Sequence, residues 1–442
     1  MEASQISGIS ESIVDEALRS GADDVAVNGL SAITRQVRFS ENEIDIFNSW
    51  EQTYFQLFLV KQRKVVSTTI KGTKDYRDTI KRAIETADRS EPSEDYSGIA
   101  SKSSARNYST RERRVSDSIL SGYVREGIDA AISNGGKKSA GSLYNTFYSR
   151  AVVTSAGIKH HETGATYYFS IRCFADDIRS GHAVTSSLKR TDFRPEDAAV
   201  KASTLASAVP APTAGEEGRF DTVLDPMVVA ALVSQVGSMA SAYSVMSGFS
   251  CLAGKIGKYV AAPAVNIEDD ATRRMYGFRA FDDEGVATRK TRIVANGRLK
   301  SYLHNTSTAK KFRTRTTGNA GLISPEPFML SMGAGRSSRK EMISELRDGL
   351  YINNTWYTRY SNYAEGNFST IPRDAIYRIK RGEITGGWRD IRISENLISL
   401  FKRIVDISLE REHLNWWGES QTPCTVPYVT VRKLNITRSS DS

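Results

Sequence analysis

Residues 1–92 alternate between helical and extended patterns of hydrophobic residues. The first pattern is helical and ends at Gly21. Its apolar positions are Ile9, Ile13, Val14, Ala17 and Leu18. Two hairpins are predicted next. In the first, the turn Ser40–Asn42 joins the extended runs Val37–Phe39 and Ile44–Phe47. In the second, the turn Lys61–Lys64 joins Tyr54–Val60 and Val65–Ile70. A second helical pattern follows Thr73, its predicted N-cap, and includes Tyr76, Ile80, Ile84 and Ala87.

The same order of patterns recurs in residues 111–210, after a polar, serine-rich linker at 93–110. A helical stripe ends at Gly135 and Gly136, and its apolar positions are Val115, Ile119, Tyr123, Ile128 and Ile132. Extended segments follow, and a further helix is predicted over Pro195–Ala208. The recurrence of helix, meander and helix suggests a duplicated architecture, although the two units share no residue-level repeat.

A proline-rich segment, PAPTAG (210–215), marks the boundary before a C-terminal domain at 216–440. Its first strand leads into Asp225-Pro226, and an aspartate N-cap followed by proline strongly favours a helix, here predicted over 226–243. The later patterns are mostly extended. They predict hairpins around Asn296-Gly297 and Arg381-Gly382 and a last strand at Tyr428–Asn435. Helices and strands without regular alternation predict an α+β fold, with helix–meander–helix units before a β-rich, mixed C-terminal domain.

Composition and charge narrow the class of protein. The 442 residues carry a formal net charge of +9 and include three cysteines, none in a CxxC pair. We find no signal-peptide pattern and no apolar run near the roughly 20 residues that cross a bilayer, so a cytoplasmic protein without membrane contact is expected. The basic residues form only short clusters, which favours a solvated basic surface over a nucleic-acid-binding one. These clusters are Arg111–Arg114, Lys310–Arg315 and Arg336–Lys340.

The densest group of metal-binding residue types lies in the segment IKHHETGATY, at His160, His161 and Glu162. Extended runs flank it, and Gly164 is expected to form a turn between them. Neighbouring side chains of a strand point to opposite faces, so the two histidines cannot easily bind one ion together. His160 and Glu162 could share a face, but two ligands hold zinc poorly. A structural role is therefore the favoured interpretation of this group.

Ser307 and Lys310 have the S-x-x-K spacing of a serine nucleophile and a lysine base one helical turn apart. Thr317-Gly318 lies nearby, like part of a K-T-G box, but Thr316 replaces the lysine of that box. A separate aromatic stretch, Trp356–Tyr363, could stack on nucleic-acid bases, although strand core and subunit contact are favoured.

Residues 281–320 carry four short motifs in a fixed order. They are FDDEGV at Phe281–Val286, NGRL at Asn296–Leu299, STAK at Ser307–Lys310 and TGNA at Thr317–Ala320. In this order and spacing the chain resembles the TldD/PmbA family. The resemblance extends over about residues 10–435, because the segment from Val37 to Thr69 resembles the first domain of that family and GRFDTVLDP resembles the strand entering its last domain.

The resemblance implies a metal-site helix at LVSQVGS, residues 232–238. TldD-type members of the family are zinc metalloproteases whose helix reads roughly L-H-E-A-x-G-H, with a cysteine near the C-terminus as a further ligand. The positions that match the two histidines and the glutamate are here Val233, Ser238 and Ser234. The cysteine position falls at Trp416 or Trp417, and Cys424 lies beyond it. The resemblance therefore points to the PmbA/TldE type, which lacks the zinc motif.

A PmbA/TldE-type chain is implied to be a non-catalytic subunit of a cytoplasmic complex that degrades or processes unfolded peptides. It would pair with a homologous TldD-type subunit, or with itself, and zinc is expected in the catalytic partner rather than in this chain. Thr317, Gly318 and Asn319 are predicted to contribute to a peptide-binding cavity. Two alternatives remain open: a self-sufficient hydrolase that uses Ser307 and Lys310, and a basic nucleic-acid-associated protein, in line with the family's label as a gyrase modulator.

Overall fold

The computed structural model describes residues 1–208 and 211–438. The predicted domain limits at residues 210 and 440 lie outside the described residues. Helices and strands follow one another without regular alternation and build two sheets, so the predicted α+β class is confirmed. No helix within these two ranges is long and apolar enough to cross a membrane.

The strands of both predicted helix–meander–helix units join in one antiparallel sheet. These strands are β1 (Asp24–Ser40), β2 (Glu43–Lys61), β3 (Lys64–Lys71), β4 (Lys138–Thr154), β5 (Lys159–Phe174) and β6 (Ser180–Ser187). Their order is β3-β2-β1-β4-β5-β6, so the pairing of β1 with β4 connects the two units across the linker. Both predicted hairpin turns are confirmed, because their central residues adopt the positive φ of tight turns. These residues are Glu41, Asn42, Gln62 and Arg63.

Helices cover one face of this first sheet. They are α1 (Ala3–Arg19), α2 (Tyr76–Arg89), α3 (Asp117–Ser133) and α4 (Pro195–Ser207). The buried stripe of α1 includes Ile6 and Ser10, which lie against Gly29 of β1, and this orientation leaves the predicted core residue Leu18 38% exposed. The predicted N-cap of α2 was wrong: Asp75, with a left-handed φ of 60°, precedes the helix and prevents it from starting at Thr73.

Gly164 lies in the middle of β5 and not in a turn, so that prediction was wrong. It pairs with Tyr148 of β4, and the ring of Tyr148 covers it. A Cβ atom at Gly164 would lie 2.2 Å from the Tyr148 ring. Glycine is therefore required here for a close approach between neighbouring strands rather than for a change of chain direction.

Residues 211–438 build a second, mixed sheet. Its strands are β7 (Thr213–Ala214), β8 (Gly218–Leu224), β9 (Ile267–Asp269), β10 (Thr291–Ala295), β11 (Arg298–Leu299), β12 (Leu330–Met332), β13 (Asp348–Asn362), β14 (Asn367–Lys380), β15 (Glu383–Arg389), β16 (Ile391–Asn396), β17 (Ile404–Trp416) and β18 (Ser420–Arg438). The order is β11-β10-β9-β12-β18-β8-β13-β14-β15-β7, and β16 and β17 pair with β18 outside this path. The predicted turns at Asn296-Gly297 and Arg381-Gly382 are confirmed.

The helix predicted after Asp225 is α5 (Pro226–Met239), and it packs on β18 in the core of the second sheet. The Asp225 carboxylate accepts a hydrogen bond from the Met227 N–H at 3.0 Å, which confirms the N-cap. The helix ends at Met239 instead of 243, because the Ala242 N–H turns to the Leu303 carbonyl. Four short α-helices and one 3-10 turn (Arg190–Asp192) complete the described chain. The helices are α6 (Ala242–Met246), α7 (Thr306–Lys311), α8 (Arg339–Ser344) and α9 (Leu397–Lys402).

A buried arginine joins the two sheets. The Arg150 guanidinium, on β4, donates to the Phe281 carbonyl at 2.8 Å and lies 3.5 Å from Glu162 Oε1 and 3.7 Å from Asp283 Oδ1. Glu162 in turn accepts a hydrogen bond from the Ala280 N–H at 3.0 Å. All these charges are buried, and a buried charge without a partner is costly. The cluster therefore favours the relative position of the two sheets in which each charge keeps its partners.

A second buried ion cluster fixes α5 from the other side. Lys201 of α4 lies 3.0 Å from Asp225 Oδ2 and 2.8 Å from Glu412 Oε1. The same aspartate accepts a hydrogen bond from the Tyr351 hydroxyl at 2.6 Å. Asp225 thus caps α5 and also pairs with a helix of the first sheet, so both halves of the chain position α5.

We expect Arg150→Met to destabilise the protein by about 3–5 kcal/mol, because it leaves the buried carboxylate of Glu162 without its cation, whereas Asp283 keeps Arg279 at 2.8 Å. Urea unfolding followed by circular dichroism measures this loss. Arg38→Met is the matched control, since Arg38 lies exposed on β1. Equal stability of the two variants would contradict the importance of the Arg150 contact.

Candidate functional site

A cavity of about 650 Å³ lies between the two sheets, beside α5. Tyr148 and Thr166 of the first sheet form one wall, and Ser234, Gln235 and Ser238 of α5 form another. The remaining wall comes from Leu188 and from segments 276–279, 326–328, 358–359, 418–419 and 421–423. This volume is within the range of about 300–1,000 Å³ that is typical of ligand sites.

The cavity exposes one side of the predicted metal-site helix. Ser234 and Ser238 are separated by about one helical turn, so both point to the cavity. The Ser238 hydroxyl donates to the Ser234 carbonyl at 3.1 Å, whereas the Ser234 hydroxyl forms no hydrogen bond with the described residues. Val233 has no exposed surface and packs in the core of the second sheet. Of the three predicted positions, two therefore reach the cavity.

The side chains at this helix do not fit a zinc ion. A valine and two serine hydroxyls replace the imidazoles and the carboxylate that zinc sites use. Cys424 is buried, with its Sγ 3.1 Å from the Thr422 carbonyl, and burial raises the pKa of its thiol to about 12. Within residues 1–208 and 211–438, no three His, Cys, Asp or Glu side chains come together as a metal site.

Two glutamines on the cavity wall belong to no sequence motif, so the sequence did not identify them as site residues. The side-chain amides of Gln235 and Gln421 form no hydrogen bond with the rest of the described chain. Each amide offers one acceptor and two donors, which is the set that pairs with a peptide backbone. The position of Gln235, between two serines on the same helix, is the one sequence feature that could have indicated it.

His160, His161 and Glu162 do not line this cavity and form ordinary internal contacts. His160 Nε2 is 3.0 Å from the Ser103 hydroxyl, and that hydroxyl donates to the Gly285 carbonyl at 2.5 Å. The only proton of Ser103 is therefore committed to a carbonyl, and His160 must donate to Ser103 rather than activate it. Glu162 pairs with Arg150, as described above.

Ser307 and Lys310 both hold the linker against α7. The Ser307 hydroxyl donates to the Gly98 carbonyl at 3.0 Å, and Lys310 Nζ donates to the Ser97 carbonyl at 2.5 Å. A serine–lysine nucleophile pair needs a hydrogen bond between the two side chains. In this structure each side chain bonds to a different backbone carbonyl.

The predicted cavity residues Thr317, Gly318 and Asn319 lie behind the cavity wall. The Thr317 hydroxyl accepts from the His304 N–H at 2.8 Å, and Asn319 Nδ2 donates to Asp269 Oδ2 at 2.6 Å and to the Glu326 carbonyl at 3.1 Å. Thr317 is 8% exposed and Asn319 1% exposed. Asn319 thus fixes Glu326, which forms part of the wall, and Thr317 fixes His304.

The FDDEGV motif places two buried carboxyls close together. Asp282 accepts backbone hydrogen bonds from Glu284, Val286 and Ala320, and Glu284 accepts from the Thr306 hydroxyl. Burial raises the pKa of Glu284, and the nearby charge of Asp282 raises it further. The motif thus organises the turn that meets Arg150 and keeps carboxyls out of water.

Comparison with known proteins places the second half of the chain in a defined family. The family model described as the PmbA/TldA metallopeptidase C-terminal domain matches residues 217–438. A protein named metalloprotease from Methanothermobacter thermautotrophicus is 30% identical over 247 residues, which cover 53% of this chain and 53% of that protein. A protein named metalloprotease PmbA homolog from Buchnera aphidicola is 32% identical over 138 residues, 30% of this chain and 29% of that protein. The chain spans about half or less of the length of these relatives.

Solved structures share the whole fold. TldE from Thermococcus kodakarensis superposes with a TM-score of 0.83 at 18% identity and covers 97% of this chain and 100% of that chain. A Thermotoga maritima protein named as a candidate modulator of a DNA gyrase gives a TM-score of 0.83 at 20% identity and covers 97% and 99% of the two chains. At this level of identity the likeness establishes the fold alone.

The raised pKa of Glu284 predicts a pH dependence of stability. The folded protein keeps a proton that the unfolded chain loses above about pH 4, so this contribution is present at low pH and is lost as the pH rises through the folded-state pKa. Glu284→Gln should therefore flatten the fall in stability from about pH 5 to about pH 9, measured by urea unfolding. The exposed control Glu85→Gln should keep the wild-type slope. An unchanged or steeper slope in Glu284→Gln would contradict the assignment.

Proposed function

Since this chain belongs to the PmbA/TldD metallopeptidase family, we propose that it is a PmbA/TldE-type, non-catalytic subunit. In this proposal it holds unfolded peptide beside a homologous TldD-type subunit, and the zinc of that partner carries out hydrolysis. The complex degrades or trims peptides in the cytoplasm. One observation carries the proposal: the metal-site helix faces a cavity, yet it presents serine hydroxyls where zinc ligands and a general base would stand.

The cavity wall supports peptide binding without hydrolysis. It combines the unengaged amides of Gln235 and Gln421 with the hydroxyl of Ser234. Such groups can bond to the N–H and C=O groups of an extended peptide, whatever its sequence. None of these three groups can take a proton from water near neutral pH, because amides and serine hydroxyls are not bases there. The two carboxylates of the lining have other partners: Glu419 accepts the Thr358 N–H, and Glu326 lies 3.7 Å from the Arg279 guanidinium.

The first sheet supports pairing with another subunit. β1 pairs along one edge of β2, and on the opposite edge β3 pairs only with Tyr54–Lys61. Within the described chain, this second edge of β2 therefore has no strand beside it from Glu43 to Thr53. Ile46, Phe47 and Trp50 lie exposed on this segment. An open strand edge with exposed apolar side chains favours strand pairing with a partner. We assign this edge to the TldD-type subunit.

The proposed cytoplasmic location is supported by the state of the cysteines. Cys173, Cys251 and Cys424 are all free and buried. Free, buried thiols without disulfides are typical of proteins in a reducing compartment.

The self-sufficient hydrolase that uses Ser307 and Lys310 has less support, because each side chain is bonded to a backbone carbonyl of the linker. Ser307→Ala separates the two hypotheses. Under the proposal it leaves peptide binding unchanged, and peptidase activity of the isolated chain that disappears in this variant would favour the hydrolase.

Elemental analysis of the purified chain is expected to find no stoichiometric zinc, because the helix lacks ligands. Unfolded peptide should be bound but not cleaved by this chain alone, and cleavage should appear when a TldD-type subunit with an intact HExxxH helix is added. One zinc ion per chain, together with cleavage by the chain alone, would contradict the proposal.

Gln235→Ala should weaken peptide binding about two- to tenfold, the range that corresponds to one lost hydrogen bond. Fluorescence anisotropy with a labelled, unfolded peptide measures the change. Gln62→Ala is the control, since Gln62 lies exposed in the turn between β2 and β3. Equal affinities of the two variants would place the peptide outside this cavity.

A further inference from the structure

Tyr357 has a backbone conformation that tyrosine rarely adopts. Its φ is +57°, in the left-handed region. The register between β13 and β14 shifts between Trp356 and Arg359, so Tyr357 stands in a β-bulge, where glycine is the usual residue at a left-handed position. Bulges beside binding sites redirect side chains, and an observed strained residue at such a place is a reason to look for function.

The surrounding residues hold Tyr357 in this strained conformation. The Glu419 carboxylate accepts the next N–H, that of Thr358, at 3.2 and 3.3 Å. The Thr358 hydroxyl donates to the Thr370 hydroxyl at 2.9 Å, and the Thr370 hydroxyl donates to the Trp356 carbonyl at 3.1 Å. The bulge is therefore a built feature with its own hydrogen bonds.

The bulge projects an aromatic ring at the edge of the cavity described above. Tyr357 is 48% exposed and Trp417 is 62% exposed, and the ring of Trp356 lies between them at 5.6 and 6.0 Å. Their chain neighbours Thr358, Arg359, Gly418 and Glu419 line the cavity. We call Tyr357 and Trp417 the aromatic rim.

The size of the aromatic rim fits one side chain rather than a subunit. An aromatic residue buries about 150–250 Å² at most, whereas each side of a stable protein interface buries about 800 Å². The two rings are already partly covered by Trp356. The aromatic rim alone is thus too small for the subunit contact expected for this stretch of sequence.

The charges around the aromatic rim indicate which side chain it accepts. The Arg359 guanidinium lies 5.8 Å from the Tyr357 ring, and the Arg373 guanidinium lies 5.5 Å from the Trp356 ring and 5.8 Å from the Tyr357 ring. These two cations outnumber the one carboxylate beside the rings, that of Glu419, so a lysine or arginine of a ligand is disfavoured. Exposed ring faces favour an aromatic or other large apolar side chain.

We propose that the aromatic rim selects peptides that carry an aromatic side chain at the residue lying over the cavity mouth. The bulge at Tyr357 positions this ring, and the peptide backbone continues into the cavity along Gln235 and Gln421. This inference rests on the proposed function, because it assumes that the cavity holds unfolded peptide. It adds a preference in sequence to a site whose other contacts are to the backbone.

The test compares three labelled, unfolded peptides that differ at one central position, which is Phe, Ala or Lys. The wild-type chain should bind the Phe peptide about three- to tenfold more tightly than the Ala peptide, and the Lys peptide most weakly. Tyr357→Gly and Trp417→Ala should each reduce the Phe-over-Ala ratio toward one. Tyr357→Phe should keep the ratio, because the ring remains.

Stability provides a second readout. Tyr357→Gly should unfold at the same or a higher urea concentration than the wild type, because glycine adopts the left-handed backbone without strain. A large loss of stability in this variant would overturn the idea of a strained bulge. Tyr363→Ala is the matched control: Tyr363 is 46% exposed and lies outside the cavity lining, so its substitution should leave the Phe-over-Ala ratio unchanged.

The outcomes separate the two proposals. Wild-type chain that binds the Phe and Ala peptides equally would overturn the aromatic rim while peptide binding stands. Wild-type chain that binds none of the three peptides would overturn both. A change of oligomeric mass in Trp417→Ala, measured by sedimentation, would also overturn the rim, because it would identify Trp417 as a subunit contact.

Discussion

The buried guanidinium of Arg150 is the contact on which the arrangement of the two sheets depends. Its side chain projects from the face of the first sheet that carries no helices. There the guanidinium donates to the Phe281 carbonyl and pairs with the carboxylates of Glu162 and Asp283. A buried charge that loses a partner is costly, so few relative positions of the sheets satisfy the whole cluster. The cavity lies between the sheets beside this contact. Tyr148, two residues from Arg150 on β4, forms part of the cavity wall.

The residues that anchor α5 differ from the residues that α5 presents to the cavity. Asp225 caps α5 and is paired with Lys201, so the helix is anchored by both halves of the chain. What α5 presents to the cavity is small and uncharged: Ser234, Gln235 and Ser238. Such a wall can hold and orient a ligand, but its side chains offer no general base. In the proposed complex this chain supplies binding and selection, and its partner supplies hydrolysis.

The sequence predicts those parts of the structure that local contacts decide. The turns at Glu41-Asn42 and Asn296-Gly297 depend on the residues within them. The pairing of β1 with β4 depends on strands from separate units, and no local pattern encodes it. Gly164 suggests a turn by its type, whereas its role is to make room for a ring on the next strand. At the site, the family resemblance identifies the helix, but no motif marks the amides and the strained residue, Gln235, Gln421 and Tyr357.

The open edge of β2 also limits what this chain can assemble with. Acidic side chains occur along it, at Glu43, Asp45 and Glu51. If two copies paired antiparallel about Asn48, Asp45 of each copy would lie opposite Glu51 of the other, and like charges in directly opposed positions destabilise a strand pair. A partner strand with lysine or arginine at those positions would gain attraction instead. In this register the carboxylates of the edge oppose self-pairing, whereas Ile46 would lie opposite Trp50 and favour it, so the charge on the partner strand decides which chain the edge accepts.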